Sequence, residues 1–203
     1  MSETLFAIEL SMRIDPAGSP PTRSQDRLCA ELRELARALP NGGSRAEAHA
    51  YWQHVSQLLL RELPFCTRGI WDYSNDDGEA ARMFADYAST LKNKKGVRAV
   101  PSVMPGQSPM RSYAGELYCN VTFAWLVSTS SRTGRGLSIS CAVAPNILWT
   151  RQTFGHLLRT MQLVDTGDLR SSVFYTIPAD PSFALTVPDL AAQEFAYLRP
   201  IEG

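Results

Sequence analysis

A regular alternation of side chains over residues 116–128 is the most informative pattern in this chain. A period of two residues is the signature of a β-strand, because successive side chains point to opposite faces of a sheet. One predicted face carries Leu117, Cys119, Val121, Phe123, Trp125 and Val127. The other carries Tyr118, Asn120, Thr122, Ala124 and Leu126. This is the clearest strand prediction in the sequence, and any fold for the chain must include it.

A second alternation near the N-terminus predicts the first strand, over residues 4–14. Its apolar face carries Phe6, Ile8, Leu10, Met12 and Ile14. Further strands are predicted at residues 69–73, 137–143, 172–177 and 195–198. Residues 130–136 contain serine and glycine and are predicted to be a hairpin loop. This loop would join the strand of residues 116–128 to a partner strand at residues 137–143.

Helical signals dominate the stretch between residues 20 and 92. Ser44 and Glu47 form a capping box, in which the two side chains bind backbone N–H groups at the start of a helix. Apolar side chains that recur three and four residues apart indicate helices with one buried stripe. They predict helices over residues 25–39, 44–63 and 79–91, and a fourth helix that begins at Thr150.

Together these elements predict an α+β fold, with a mainly antiparallel sheet and about four helices packed on it. A helical stretch is inserted after the first strand. The 203 residues are enough for one domain. We therefore predict a single domain over residues 1–203, with a helical subregion at about 20–92 and a sheet-rich subregion at about 97–200.

Composition excludes several classes of function. The chain has 20 basic and 20 acidic residues, so it is not a generally basic nucleic-acid-binding protein. It has no apolar run of the roughly 20 residues that a membrane span needs, and its N-terminus does not resemble a secretory signal. We therefore expect a cytoplasmic protein with neither a nucleic acid nor a membrane as its partner.

The four cysteines are spread through the sequence and predict buried, reduced thiols. Cys29, Cys66, Cys119 and Cys141 include no CxxC pair, which argues against a structural zinc site. No metal site or other cofactor is expected. The sequence also has no catalytic motif, so we predict a protein that is not an enzyme.

An acidic stretch follows the predicted strand at residues 69–73, and charge is unevenly divided along the chain. Residues 1–91 hold 13 acidic and 9 basic residues, whereas residues 92–203 hold 7 acidic and 11 basic residues. Such asymmetry can steer a charged protein partner. The predicted partner-binding residues are Trp71, Asp72, Tyr73, Asp76, Asp77 and Glu79.

The overall layout resembles bacterial immunity proteins, which neutralise polymorphic or type VI secreted toxins. The segments that carry this resemblance are residues 69–73, 123–127, 154–159 and 163–168. The resemblance implies a protein that binds a cognate toxin and occludes its active site. Against a nuclease toxin, the acidic stretch would occupy the channel that normally holds phosphate groups. Reversing the charges of Asp76 and Asp77 should then weaken binding.

Two other functions remain open from the sequence. The first is a small cysteine-dependent enzyme, in which His156 activates Cys141 or Cys119, with Asp165 as a third member. The second is a structural or scaffold subunit that associates through an exposed apolar strand such as residues 117–127.

Overall fold

One antiparallel sheet of six strands organises the computed structural model, which describes residues 2–14, 25–40, 44–93, 116–179 and 184–203. The strands are β1 (Glu3–Ile14), β2 (Cys66–Ser74), β3 (Leu117–Ser128), β4 (Leu169–Ile177), β5 (Leu185–Thr186) and β6 (Arg199–Pro200). Their order across the sheet is β4-β3-β1-β2-β6, and β5 pairs with β3. The predicted α+β class with a mainly antiparallel sheet is confirmed.

The described residues contain six α-helices, two more than the sequence predicts. They are α1 (Gln25–Arg37), α2 (Arg45–Glu62), α3 (Asp77–Asn93), α4 (Arg132–Ser140), α5 (Arg151–Thr160) and α6 (Val187–Ala191). No helix in this described part of the chain is both long and apolar enough to cross a membrane. Residues 97–111, whose three prolines predict an irregular segment, lie outside the described residues.

The two longest strands, β1 and β3, lie side by side at the centre of the sheet. They pair along their whole lengths, with Phe6 opposite Trp125 and Glu9 opposite Thr122. Every residue from 117 to 127 is buried, since β3 has the neighbours β1 and β4 and a cover on both faces. The alternation predicted for both strands is confirmed, because their two sets of side chains enter two different cores.

The first face of the sheet is covered by α1, α2, α4 and α5, and its core is aromatic. The predicted capping box is present at the start of α2, where Ser44 accepts from the backbone N–H of Glu47. This helix brings Trp52 onto the sheet, where its ring lies 5.0 Å from that of Trp125 in an edge-to-face arrangement. The ring of Phe123 lies 6.0 Å from the ring of Trp52. Such contacts add to the gain from apolar burial.

The second face is covered by α3 and by the chain from α6 to β6. Its apolar residues include Leu5 and Ala124 from the central strands, and Leu190 and Phe195 from the covering chain. It also buries polar side chains of β1 and β3, among them Glu9. The two faces therefore differ in chemistry as well as in position.

The predicted hairpin over residues 130–143 is wrong, because α4 occupies most of it. The Ser131 side chain accepts from the backbone N–H of Gly134 at 2.9 Å and caps this helix. Within it, Leu137 is buried and Ile139 is 78% exposed, so the apparent alternation does not separate two faces of a sheet. The partners of β3 are instead β1, β4 and β5.

The predicted strand at residues 195–198 is also wrong. A 3₁₀ turn spans Gln193–Phe195, and the last strand, β6, comprises only Arg199 and Pro200. Phe195 and Leu198 are buried because this turn packs on the second face, and not because they alternate along a strand.

Candidate functional site

The outer edge of β2 brings together the first three predicted partner-binding residues. β2 pairs with β1 along Leu5 to Met12, but it pairs with β6 only at Arg68 and Gly69. Beyond Gly69, the outer edge of β2 has no strand beside it in the described part of the chain. Among the described residues, 70–74 therefore form an unpaired sheet edge, and such an edge is a common place for another chain to pair.

Trp71 and Tyr73 lie on the first face and are both partly buried against its core. The Trp71 Nε1–H donates to the carbonyl oxygen of Leu148 at 2.9 Å. Its ring centre lies 6.4 Å from that of Trp149. These contacts fix the orientation of an aromatic side chain that still reaches solvent at the sheet edge.

Asp76 caps the N-terminus of α3, and Glu79 lies in the first turn of the same helix. Asp76 accepts the backbone N–H of Glu79 on Oδ1 at 3.0 Å, and Glu79 accepts the Ser74 hydroxyl on Oε2 at 2.9 Å. Both residues are exposed. The capping role explains acidic residues here without any partner, since carboxylates are favoured at a helix N-terminus. The side chain of Asp77 lies outside the described residues.

Asp72 points to the second face, away from Trp71 and Tyr73, so the sheet divides the predicted site. There it accepts a short hydrogen bond from the hydroxyl of Tyr87. Electrostatic contacts connect this pair to further residues of the same face. We name this group the acid–tyrosine cluster: Glu9, Asp72, Tyr87, Tyr175 and Tyr197.

Glu9 is the most deeply buried carboxylate of the cluster, with 2% of its surface exposed. The Tyr197 hydroxyl donates to both carboxylate oxygens, at 2.9 Å each. The Asn120 amide nitrogen lies 3.5 Å from Oε1. Tyr197 itself is 37% exposed, so it lies between Glu9 and solvent.

Three polar atoms beside Glu9 are buried without a hydrogen-bond partner among the described residues. They are the Oγ atom of Ser11, the Oδ1 atom of Asn120 and the Oγ1 atom of Thr122. All three side chains are fully buried; Ser11 lies opposite Asn120, and Thr122 opposite Glu9, in the pairing of β1 with β3. Buried polar atoms are normally satisfied, because leaving one unpaired costs about 1–3 kcal/mol. The second face therefore carries unused acceptors next to a carboxylate.

Burial and the two carboxylates keep the tyrosines of the cluster protonated. Burial raises the pKa of Tyr197, and the adjacent Glu9 carboxylate raises it further. Burial and then Asp72 raise the pKa of Tyr87. Burial and then Glu9 raise the pKa of Tyr175. Each phenol is therefore a hydrogen-bond donor at neutral pH.

Sequence reasoning did not identify Glu9, Tyr87, Asn120 or Tyr197 as site residues. The available signal was a glutamate within an apolar strand, at a position that faces the second core. Its neighbours come from positions as far apart as 9 and 197, so only the folded chain brings them together.

The structure gives no support to a cysteine nucleophile. Cys119 and Cys141 are buried, and burial raises the pKa of the Cys141 thiol to about 12. A nucleophile needs the opposite shift, toward the thiolate. His156 is exposed, and Asp165 instead forms a two-bond ion pair with Arg45. Self-association through an exposed strand at residues 117–127 is equally unsupported, because β3 lies inside the sheet.

Two surface cavities of about 450 and 570 Å³ lie beside Arg45, and Asp165 lines the larger one. Both are lined by Arg45 and Thr166 at the N-terminus of α2. The bidentate pair neutralises the arginine, and the Asp165 pKa is lowered by its hydrogen bond with Arg45. The charge of Arg45 at these two cavities is therefore already balanced by Asp165.

No group of three or more histidine, cysteine or acidic side chains in the described ranges is placed to hold a metal ion. Comparison of the chain with protein-family models, curated proteins and solved structures finds no match in any of the three.

Proposed function

We propose that this protein is a bacterial immunity protein that binds a cognate toxin and occludes its active site. The observation that carries the proposal is the open outer edge of β2, with Trp71 and Tyr73 on one side and Asp72 on the other. The exposed carboxylates of Asp76 and Glu79 continue this surface onto α3.

An edge of this kind suits tight protein binding for two reasons. Tryptophan and tyrosine are enriched among residues that dominate binding energy, and a ring already fixed by its neighbours loses little entropy on binding. Exposed carboxylates attract a basic partner and increase its association rate. Toxins of the kind countered by polymorphic and type VI immunity proteins include nucleases, whose active sites favour phosphate groups.

The negative charge of Asp76 and Glu79 favours a toxin with a basic active site, such as a nuclease. A nuclease toxin has a basic substrate channel, and the carboxylates of Asp76 and Glu79 would replace phosphate groups there. By sequence, Asp77 belongs to the same acidic surface. As part of this proposal we place the protein in the cytoplasm, where the buried thiols of Cys66, Cys119 and Cys141 stay reduced.

The test is affinity purification of the tagged chain from its own cells, with quantitative mass spectrometry of the proteins that bind. The informative variant is Asp76→Asn with Glu79→Gln. Asparagine still caps a helix, and glutamine still accepts from Ser74, so the variant removes two charges and retains the local structure. The matched control is Asp86→Asn with Glu194→Gln, which removes two charges from other exposed positions.

We expect one stoichiometric partner with the native chain and the control, and about tenfold less with the Asp76 and Glu79 variant, equivalent to about 1.4 kcal/mol. The purified partner should have a toxic activity, such as nucleic-acid cleavage, that the native chain inhibits. Recovery of the partner in equal amounts from all three proteins would contradict this site. A native chain that retains no partner would contradict the function.

A further inference from the structure

The acid–tyrosine cluster lies on the second face, beside buried polar side chains of β1 and β3. Glu9 is almost fully buried, and Asn120 Oδ1 and Ser11 Oγ beside it have no partner among the described residues. Polar atoms left in this state lower the stability of the fold. A ligand that brought donors to these atoms would recover that loss, so the arrangement favours binding of a donor-rich group.

We propose that this cluster is a receptor for a guanidinium group. A guanidinium carries five N–H donors in one plane and no acceptor. Two of its donors fit a carboxylate in parallel, as Glu9 offers, and others can reach Asn120 Oδ1 and Ser11 Oγ. Its flat face also stacks on aromatic rings, and three tyrosines surround the site.

Other cations fit less well. An ammonium group has three donors on a compact charge, and it cannot form the parallel pair of hydrogen bonds with a carboxylate. A metal ion is disfavoured because no three acidic, histidine or cysteine side chains come together within the described ranges.

Near Glu9, the side chains of Tyr197 and Asp72 are both partly exposed to solvent. Tyr197 is partly exposed, and its hydroxyl occupies both Glu9 oxygens. A guanidinium would replace this hydroxyl, which can turn toward water. Asp72 is half-buried beside Tyr87, and it extends the negative charge toward the outer edge of β2.

This inference does not rest on the immunity function. The guanidinium group can belong to an arginine of a protein partner or to a small molecule, and the chemistry at Glu9 is the same. An arginine at residue 98 or 111 of the chain itself is a third source, and both lie outside the described residues.

The test is a titration of the full chain with N-acetyl-arginine amide, followed by calorimetry and by the NMR signal of the Asn120 side-chain amide. The matched ligand is N-acetyl-citrulline amide, which has nearly the same shape without the charge. We expect the arginine compound to bind with a Kd on the order of millimolar and to shift the Asn120 signal. The citrulline compound should do neither.

Three variants separate binding from folding. Glu9→Gln removes the charge and should weaken binding at least about tenfold. Glu194→Gln removes an exposed charge and should leave binding unchanged. Tyr197→Phe removes the competing donor but retains the ring, so it should tighten binding about two- to fivefold. A merely structural role for Tyr197 would not tighten binding, and this variant remains informative if Glu9→Gln does not fold.

Two further binding experiments identify the source of the guanidinium group. A peptide with one arginine between flanking residues should bind more tightly than the amide if the ligand is a protein. Binding that occurs only after substitution of Arg98 or Arg111 by Gln would show that the receptor normally holds its own arginine. The proposal is overturned if the arginine amide binds to none of these proteins, or binds the native chain and Glu9→Gln equally.

Discussion

The two faces of the sheet are built from the same strands, and they bury different kinds of side chain. On the first face, Trp52 from α2 packs edge to face on Trp125 and against Phe123. On the second face, adjacent positions bury Glu9 and Asn120. Because side chains alternate along a strand, residues that are neighbours in sequence lie on opposite faces and pack in different cores. We infer that the first face supports the fold and the second provides chemistry.

The largest effect is expected on the first face, from Trp52→Ala. Trp52 is almost fully buried, and its ring contacts those of Tyr51, Phe123, Trp125 and Phe174. Truncation of such a residue removes apolar burial and leaves a cavity, so we expect a loss of about 3–5 kcal/mol in the free energy of unfolding. Urea denaturation followed by circular dichroism measures it. A loss below about 1 kcal/mol would contradict the assignment of the first face as the stabilising one.

Two glycines of α4, which also covers the first face, should respond in opposite directions to alanine. A Cβ atom at Gly134 would overlap the backbone carbonyl oxygen of Ser128, whereas one at Gly136 would meet nothing within 4 Å. We expect Gly134→Ala to destabilise the protein by about 2 kcal/mol or more. Gly136→Ala should stabilise it by about 0.5–1 kcal/mol. Thermal unfolding of both variants checks this, and equal melting temperatures would refute it.

The same two glycines explain why the sequence predicted a hairpin at this place. Glycines and serines at residues 130–136 are typical of a turn, and the alternation at Leu137 and Ile139 is typical of a strand. The helix forms because Gly134 fits tightly under residues 128 and 129, and because Asp168 accepts the backbone N–H of Thr133 at 3.1 Å. The contact between Thr133 and Asp168 joins positions 35 residues apart, so no local pattern contains it.

The strands and helices predicted correctly are those whose periodicity agrees with their surroundings. The strand at residues 116–128 and the capped helix from Ser44 are clear because burial and local preference coincide. Only part of the candidate site could be predicted from the sequence. Aromatic and acidic residues around Trp71 stand out in the sequence. Glu9 does not, because its partner Tyr197 lies near the other end of the chain.

The tyrosines of the second face should make the protein sensitive to alkali. Tyr87 and Tyr175 have raised pKa values, mainly through burial, so they stay protonated in the folded state and ionise near pH 10 when unfolded. Stability is therefore fully present below about pH 10 and is lost above it, by about 1.4 kcal/mol per pH unit for each such phenol. Urea unfolding between pH 8 and 11 tests the slope. Tyr175→Phe should reduce it, and an unchanged slope would contradict the role of Tyr175.

The smallest effect on stability, and the sharpest test of the comparison, is expected from Asn120→Leu. Leucine has nearly the same branched shape as asparagine, and it removes the unpartnered Oδ1 and a long contact of 3.5 Å with Glu9. Replacing an unsatisfied polar group by an apolar one of similar volume is close to neutral or stabilising. We therefore expect the free energy of unfolding to increase by between 0 and about 1 kcal/mol.

The same change removes an acceptor from the guanidinium receptor, so binding of N-acetyl-arginine amide should weaken while the fold becomes no less stable. This opposition between stability and binding is expected where a protein retains a costly polar residue for its function. Urea unfolding and calorimetry of one purified variant measure both quantities. A strongly destabilised Asn120→Leu would instead show that the polar side chains of the second face support the fold, as the aromatic side chains of the first face do.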